Sequence, residues 1–150
     1  MTAVPHIPVL LEEAMAELDP GRGGVFVDGT FGAGGYARAM LERGATRVVA
    51  IDRDPDAVAA ARDWAAAEPR LTLAEGRFGD LDRVAEAEGA APAQGVTLDL
   101  GVSSMQLDRD ARGFAFMRDG PLDMRMEQAG PSAADLVNGL EETALAEILF

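Results

Sequence analysis

The sequence contains no cysteine and a single histidine, which excludes disulfides, thiolate metal sites and histidine-based zinc clusters. Lysine is missing as well. All 13 basic residues are arginine, whose planar guanidinium suits bidentate or stacked contacts better than diffuse attraction. No apolar run reaches the roughly 18 to 20 residues that a membrane-spanning helix needs. The N-terminus lacks the basic stretch and apolar core of a signal peptide, so a cytoplasmic location is expected. Positive charge is scarce overall: 26 acidic residues leave a formal net charge of −13, which argues against a surface built to meet phosphate backbones. Chemistry is left to carboxylates, amides, hydroxyls, backbone groups or a bound cofactor.

What is present suffices for a folded domain, with 150 residues of which 48% are hydrophobic. Pro8 to Leu18 carries Val9, Leu10, Ala14 and Leu18 at helical spacing, an amphipathic lead-in helix. After the break at Pro20 to Gly24, Val25-Phe26-Val27 reads as a short buried strand. Tyr36 to Glu42, Thr46 to Ile51 and Pro55 to Ala67 follow as helix, strand and helix, the last opened by its proline. Leu71 to Ala74 is a weaker strand, Asp80 to Glu88 a polar helix, and Val96 to Leu100 a fourth strand running into Gly101. This alternation implies an α/β fold with a parallel sheet. From Ser103 neither periodicity holds until Ser132, which caps a helix through Leu136, and Glu141 to Phe150 reads as another helix.

In an open parallel sheet, ligands bind beyond the carboxyl ends of the strands. Here those ends hold Asp28 with the turn Gly29 to Gly35, then Asp52-Arg53-Asp54, then Phe78, then Asp99-Leu100-Gly101. The glycines let backbone approach a ligand and expose N–H groups at the next helix start. Gly32, Gly34 and Ala37 fit a loose dinucleotide fingerprint, and no Gly-Lys-Ser/Thr follows, which excludes a Walker loop. Asp52 is placed to accept both ribose hydroxyls of an adenosine ligand; its ordinary role would be a solvated strand end or a helix cap. Asp28 would repel a pyrophosphate and suit a cationic ligand, with Asp99 adding to the negative field. Alternatively it accepts N–H bonds of its own turn. Phe78 fits a wall for base stacking, or an ordinary core aromatic.

The motifs His6-Ile7-Pro8-Val9-Leu10-Leu11, Asp28 to Gly35, Ile51-Asp52-Arg53-Asp54-Pro55 and Leu98-Asp99-Leu100-Gly101-Val102-Ser103-Ser104 stand in order along the chain. Gln106-Leu107-Asp108, Arg112-Gly113-Phe114 and Gly120 to Met126 continue the last. On these motifs the chain resembles the ribosomal RNA small subunit methyltransferase H family, over essentially its whole length. The resemblance implies methylation of N4 of a cytosine in the decoding region of small-subunit (16S) rRNA, within ribosome biogenesis. It implies S-adenosylmethionine as cofactor, with contacts at Gly34, Gly35, Tyr36, Asp52, Phe78, Asp99 and Gln106. The partner it implies is rRNA or an assembled small ribosomal subunit, with room for a homodimer.

It also implies a Rossmann-like methyltransferase sheet, of which residues 1–104 are the front part and residues 105–150 the start of a truncated helical insertion. Alone, such a fragment is expected to be poorly stable and inactive, with an unpaired sheet edge. Two departures from the family pattern stand out: Tyr36 where histidine is usual, and Met105 where proline is usual, a change expected to loosen that loop. Transfer from a sulfonium to the cytosine amine is an in-line displacement governed by positioning. Asp99 would either accept from the amine or hold the cofactor's ammonium, so no catalytic residue is assigned. Arg109, Arg112, Arg118 and Arg125, interleaved with Phe114 and Phe116, form either a face for single-stranded RNA or a self-paired loop with Asp108, Asp110, Asp119 and Asp123. The competing readings are an NAD-dependent oxidoreductase and a non-catalytic cofactor-binding or interaction fragment.

Overall fold

The computed structural model describes residues 8–149. The His6-Ile7 start of the first motif and Phe150 lie outside them. The chain divides into two compact units, one ending at Leu100 and the other beginning at Gly101.

In the first unit α1 (Leu11–Leu18) begins three residues later than the apolar spacing suggests, because Pro8 and Leu10 form a turn in which the Leu11 N–H bonds the Pro8 carbonyl. Then follow β1 (Val25–Asp28), α2 (Gly35–Glu42), β2 (Arg47–Asp52), α3 (Pro55–Ala67), β3 (Leu71–Glu75), α4 (Leu81–Ala87) and β4 (Gly95–Thr97). The start of α3 is built locally. Pro55 occupies the first turn and the Asp54 carboxylate accepts the Asp56 N–H at 3.0 Å, supplying the acceptor that an N-terminal donor lacks.

The four strands pair in parallel in the order β3-β2-β1-β4. Alternating side chains point to opposite faces, and the sequence loads both with apolar residues. Phe26, Val48 and Ala50 pack with Met15, Met40 and Ala61 from α1 to α3. Val27, Val49 and Ile51 pack with Ala85, Leu81 and Val84 of α4. Burial of a side chain such as Phe26 or Ile51 is worth about 1.5–3 kcal/mol. The helices thus cover both faces, and the strand order reverses at β1: β2 and β3 step away on one side, β4 lies on the other. At such a reversal the loops leaving the strands diverge and open a crevice at the carboxyl ends of β1 and β4.

β4 is shorter than expected, ending at Thr97 and not at Leu100. Its ladder to β1 stops where β1 stops, at the pair Asp28 and Thr97, since the chain turns away at Gly29. Among the described residues β4 has no strand on its other side, and Val96, Leu98 and Leu100 are exposed.

The second unit holds α5 (Ser104–Asp108), α6 (Ala133–Gly139) and α7 (Glu142–Leu149). α5 and the 3-10 turn Asp110–Arg112 fall where neither periodicity was read, because five residues are too few to show a period. Ser132 caps α6 as expected: its hydroxyl accepts the Asp135 N–H at 3.2 Å and the Asp135 carboxylate accepts the Ser132 N–H at 2.8 Å.

Candidate functional site at the carboxyl ends of the strands

The turn from Asp28 to Gly35 is held to its neighbours by backbone hydrogen bonds on both sides. Toward β4, the Gly29 N–H bonds the Thr97 carbonyl at 3.0 Å. Toward β2, the Phe31 N–H bonds the Ile51 carbonyl at 2.9 Å and the Gly32 N–H bonds Asp52 Oδ2 at 2.6 Å. The Gly34 N–H then closes on the Phe31 carbonyl at 2.7 Å, and Gly34 becomes the N-cap of α2 without any side-chain acceptor. A helix start capped only by glycine keeps its N–H donors for backbone, solvent or ligand.

Two of the glycines are required by packing. Gly34 has φ +80, and a Cβ there would lie 2.7 Å from the Trp64 ring and 2.8 Å from the Phe31 ring. At Gly29 a Cβ would lie 2.5 Å from a Leu98 methyl and 3.4 Å from the Phe78 Cβ. The close approach at both positions is therefore to the protein's own side chains, and it draws Phe78 and Leu98 against the first residue of the turn.

Asp28 departs from the role expected of a negative charge facing a ligand. It is 0% exposed, its Oδ1 accepts the Thr30 N–H at 3.2 Å, and its Oδ2 has no hydrogen-bond partner. Burial pushes its carboxyl up from 3.8 to about 7, against the pull of the Thr30 and Ala37 N–H groups and with help from the charges of Asp52 and Asp99. The alternative reading, an acceptor within its own turn, describes it better. Buried carboxyls of this kind cost free energy when charged, so near neutrality Asp28 is only partly ionised.

Asp52 Oδ1 accepts the Asp54 N–H at 2.8 Å while Oδ2 takes the Gly32 N–H. Each carboxylate oxygen has a second lone pair, so ribose hydroxyls can still be accepted. The cap of α3 is Asp54, which leaves Asp52 free of that task. Asp99 is exposed, and its N–H donates to Thr30 Oγ1 at 2.7 Å. Thr30 thereby ties the turn after β1 to the segment after β4, a function its sequence position did not signal. Tyr36 is buried on α2; its phenol is raised first by that burial, then by the charges of Asp99, Asp28 and Glu13. Phe78 opens a 3-10 turn after β3, is 41% exposed and belongs to neither core cluster, so the core-aromatic alternative does not hold. Asp28 and Asp52 end β1 and β2, Gly35 and Tyr36 open α2, and Phe78 and Asp99 follow β3 and β4, so these groups all lie at the carboxyl end of the sheet.

Gln106 lies in the second unit. It is buried, and its Oε1 accepts the Ser103 N–H at 3.0 Å while the Ser103 hydroxyl accepts the Gln106 N–H at 3.2 Å. This capping box starts α5, so Gln106 is no solvated loop amide, and Met105 occupies the second helical position.

The arginines of the second unit are engaged within it. Arg112 is buried and donates to the carbonyls of Arg125 at 3.0 Å and Met126 at 2.9 Å. Arg125 grips Asp123 through two nitrogens, pulling that carboxyl down to about 2, and Arg118 pairs with Asp110 at 2.9 Å. Arg112, Arg118 and Arg125 thus each have partners within the second unit, as the self-paired reading expects. Among the described residues no group of three or more acidic or histidine side chains could hold a metal ion, and no helix is long and apolar enough to cross a membrane.

An open parallel sheet that reverses order at its first strand, with a glycine turn there and a carboxylate at the end of the next strand, defines a Rossmann-like α/β domain. The sequence profile of the MraW methylase family matches residues 3–150, and the chain belongs to that family. It is 61% identical over 153 aligned positions to ribosomal RNA small subunit methyltransferase H of Methylobacterium sp. (strain 4-46), covering 100% of this chain and 45% of the relative. The protein of the same name from Paramagnetospirillum magneticum is 55% identical over 151 positions, covering 100% of this chain and 48% of the relative. That from Rhodospirillum rubrum is 56% identical over 147 positions, covering 97% and 45%. The chain spans a little under half the length of these curated relatives. Membership in a methylase family sets aside the oxidoreductase alternative.

Proposed function

We propose that this chain is the cofactor-binding portion of an S-adenosylmethionine-dependent enzyme that methylates N4 of a cytosine in the decoding region of small-subunit rRNA. The observation that carries the proposal is the match of nearly this whole chain to a little under half of relatives named ribosomal RNA small subunit methyltransferase H. The donor set fits the cofactor: a carboxylate with spare lone pairs at the end of β2, a half-exposed aromatic after β3, and an exposed carboxylate after β4.

When bound, the cofactor supplies an electrophilic methyl on a sulfonium. Asp52 accepts the ribose hydroxyls, each charge-assisted bond being worth about 1.5–3 kcal/mol. Phe78 offers its ring to the adenine, and the backbone from Gly34 to Tyr36 meets the methionine end at the start of α2. With Asp28 buried, the negative field on that end falls to Asp99. The family resemblance implies a cofactor contact at Gln106 as well. The cytosine amine is a weak nucleophile whose lone pair is conjugated with its ring, so the protein contributes mainly by positioning, worth up to about 7–11 kcal/mol in ideal cases.

The net charge of −13 favours either an RNA-binding surface outside these 150 residues or a substrate that is an assembled ribosomal particle. Calorimetry tests the cofactor assignment: S-adenosylmethionine and S-adenosylhomocysteine should bind and NAD should not. Binding of NAD alone, or of none of the three, overturns it. Mass spectrometry of small-subunit rRNA, incubated with a protein extended to the relatives' length, tests the reaction; an unmodified N4 position overturns the substrate assignment.

A further inference from the structure

Trp64 is the only tryptophan in the chain and sits on α3, a helix otherwise dominated by alanine. The helix packs on the sheet through the small side chains Ala57, Val58 and Ala61. Trp64 packs against the edge of the same core cluster and extends from it to the turn after β1. Its ring stacks on Phe31 with centroids 5.9 Å apart and planes inclined by 25°, and the Arg38 guanidinium of α2 lies over it at 4.1 Å. The same ring occupies the space where a Cβ of Gly34 would stand. Trp64 therefore touches the turn at residue 31 and at residue 34. Between them lies Gly32, whose N–H rests on Asp52.

We propose that Trp64 is a positioning residue for the cofactor, holding the backbone from Phe31 to Gly34 against Asp52 and so setting the distance between the ribose acceptor and the start of α2. The inference rests on the cofactor reading given above. Its physical basis is that Phe31 is fixed at two points. Its backbone N–H bonds the Ile51 carbonyl of β2 and its side chain stacks on Trp64, so the intervening torsions and the next N–H have little freedom. Aromatic stacking and an overlying guanidinium add attraction beyond simple burial, with a preferred orientation that aliphatic packing lacks. Trp64 is partly exposed, which a purely core-filling ring would not need to be.

The test compares the chain with its Trp64→Leu and Trp64→Phe variants. Trp64→Leu should bind S-adenosylhomocysteine about tenfold more weakly, and Trp64→Phe, which keeps a stackable ring, should stay within about threefold. Amide exchange at Gly32 and Gly34 should accelerate in Trp64→Leu while Val48 to Ile51 keep their protection. Wild-type affinity in Trp64→Leu, equal damage in both variants, or acceleration spread over the whole sheet would each overturn the proposal.

If Trp64→Leu fails to fold, Arg38→Met removes only the exposed guanidinium. It should weaken binding about twofold to threefold, and unchanged affinity counts against the proposal. If the unaltered chain binds neither S-adenosylmethionine nor S-adenosylhomocysteine, the cofactor reading fails by itself. Exchange at Gly32 then decides whether Trp64 still positions the turn: accelerated exchange upholds that role, and unchanged exchange ends it.

Discussion

The carboxylate of Asp52 accepts the Gly32 N–H at 2.6 Å, tying the end of β2 to the glycine turn that leaves β1. The group proposed to hold the ribose thus also fixes the loop proposed to hold the rest of the cofactor. A change at either residue is felt at both.

Asp52→Ala removes the acceptor for the Gly32 and Asp54 N–H groups together with the proposed ribose contact. Affinity for S-adenosylhomocysteine should fall about a hundredfold or more, as expected when two charge-assisted hydrogen bonds of about 1.5–3 kcal/mol each are lost. Calorimetry at one pH and salt concentration measures it. Unchanged affinity would remove Asp52 from the binding site.

Asp28 makes stability fall as pH rises. Its folded pKa of about 7 lies above the ordinary 3.8, so between those values the folded chain holds a proton that the unfolded chain releases. The favourable contribution is complete below about 3.8 and lost by about 7, beyond which this group adds no further pH dependence. Asp28→Asn should flatten the decline and raise the melting temperature more at pH 8 than at pH 5. Equal shifts at both pH values would show that the carboxyl ionises freely in the fold.

Gly34→Ala places a methyl 2.7 Å from Trp64 at a residue with φ +80. Left-handed strain and the clash together should cost roughly 1–3 kcal/mol in urea denaturation, with loss of cofactor binding. A variant as stable as the parent would mean that the Phe31 and Trp64 rings move aside easily.

Arg112→Met removes a buried guanidinium that donates to the Arg125 and Met126 carbonyls. The segment from Arg112 to Met126 should become more susceptible to proteolysis, since charged hydrogen bonds contribute about 1.5–3 kcal/mol each. If proteolysis is unchanged while rRNA binding weakens and its salt dependence falls, Arg112 contacts phosphate instead.

Periodicity and punctuation alone place most of the elements. Pro55 to Ala67 is recovered residue for residue, because Asp54 and Pro55 mark its start by local chemistry. Errors fall where a boundary depends on a neighbour. β4 ends at Thr97 because β1 turns away, and nothing within Val96 to Leu100 announces that. α5 escaped notice because its capping box spans only four residues in a segment without period.

What the sequence determined by itself is the α/β alternation, the placing of Asp52, Phe78 and Asp99 after their strands, and the family, all of which depend on residue order and local preference. Only the tertiary structure decided what the charged residues do. It buried Asp28 under its own turn, set the second unit's arginines against backbone carbonyls and carboxylates, and brought Trp64 onto Phe31 and Gly34. Ionisation, pairing and close packing depend on which distant groups arrive within a few ångströms and how much water they exclude. Residue order alone does not carry that information.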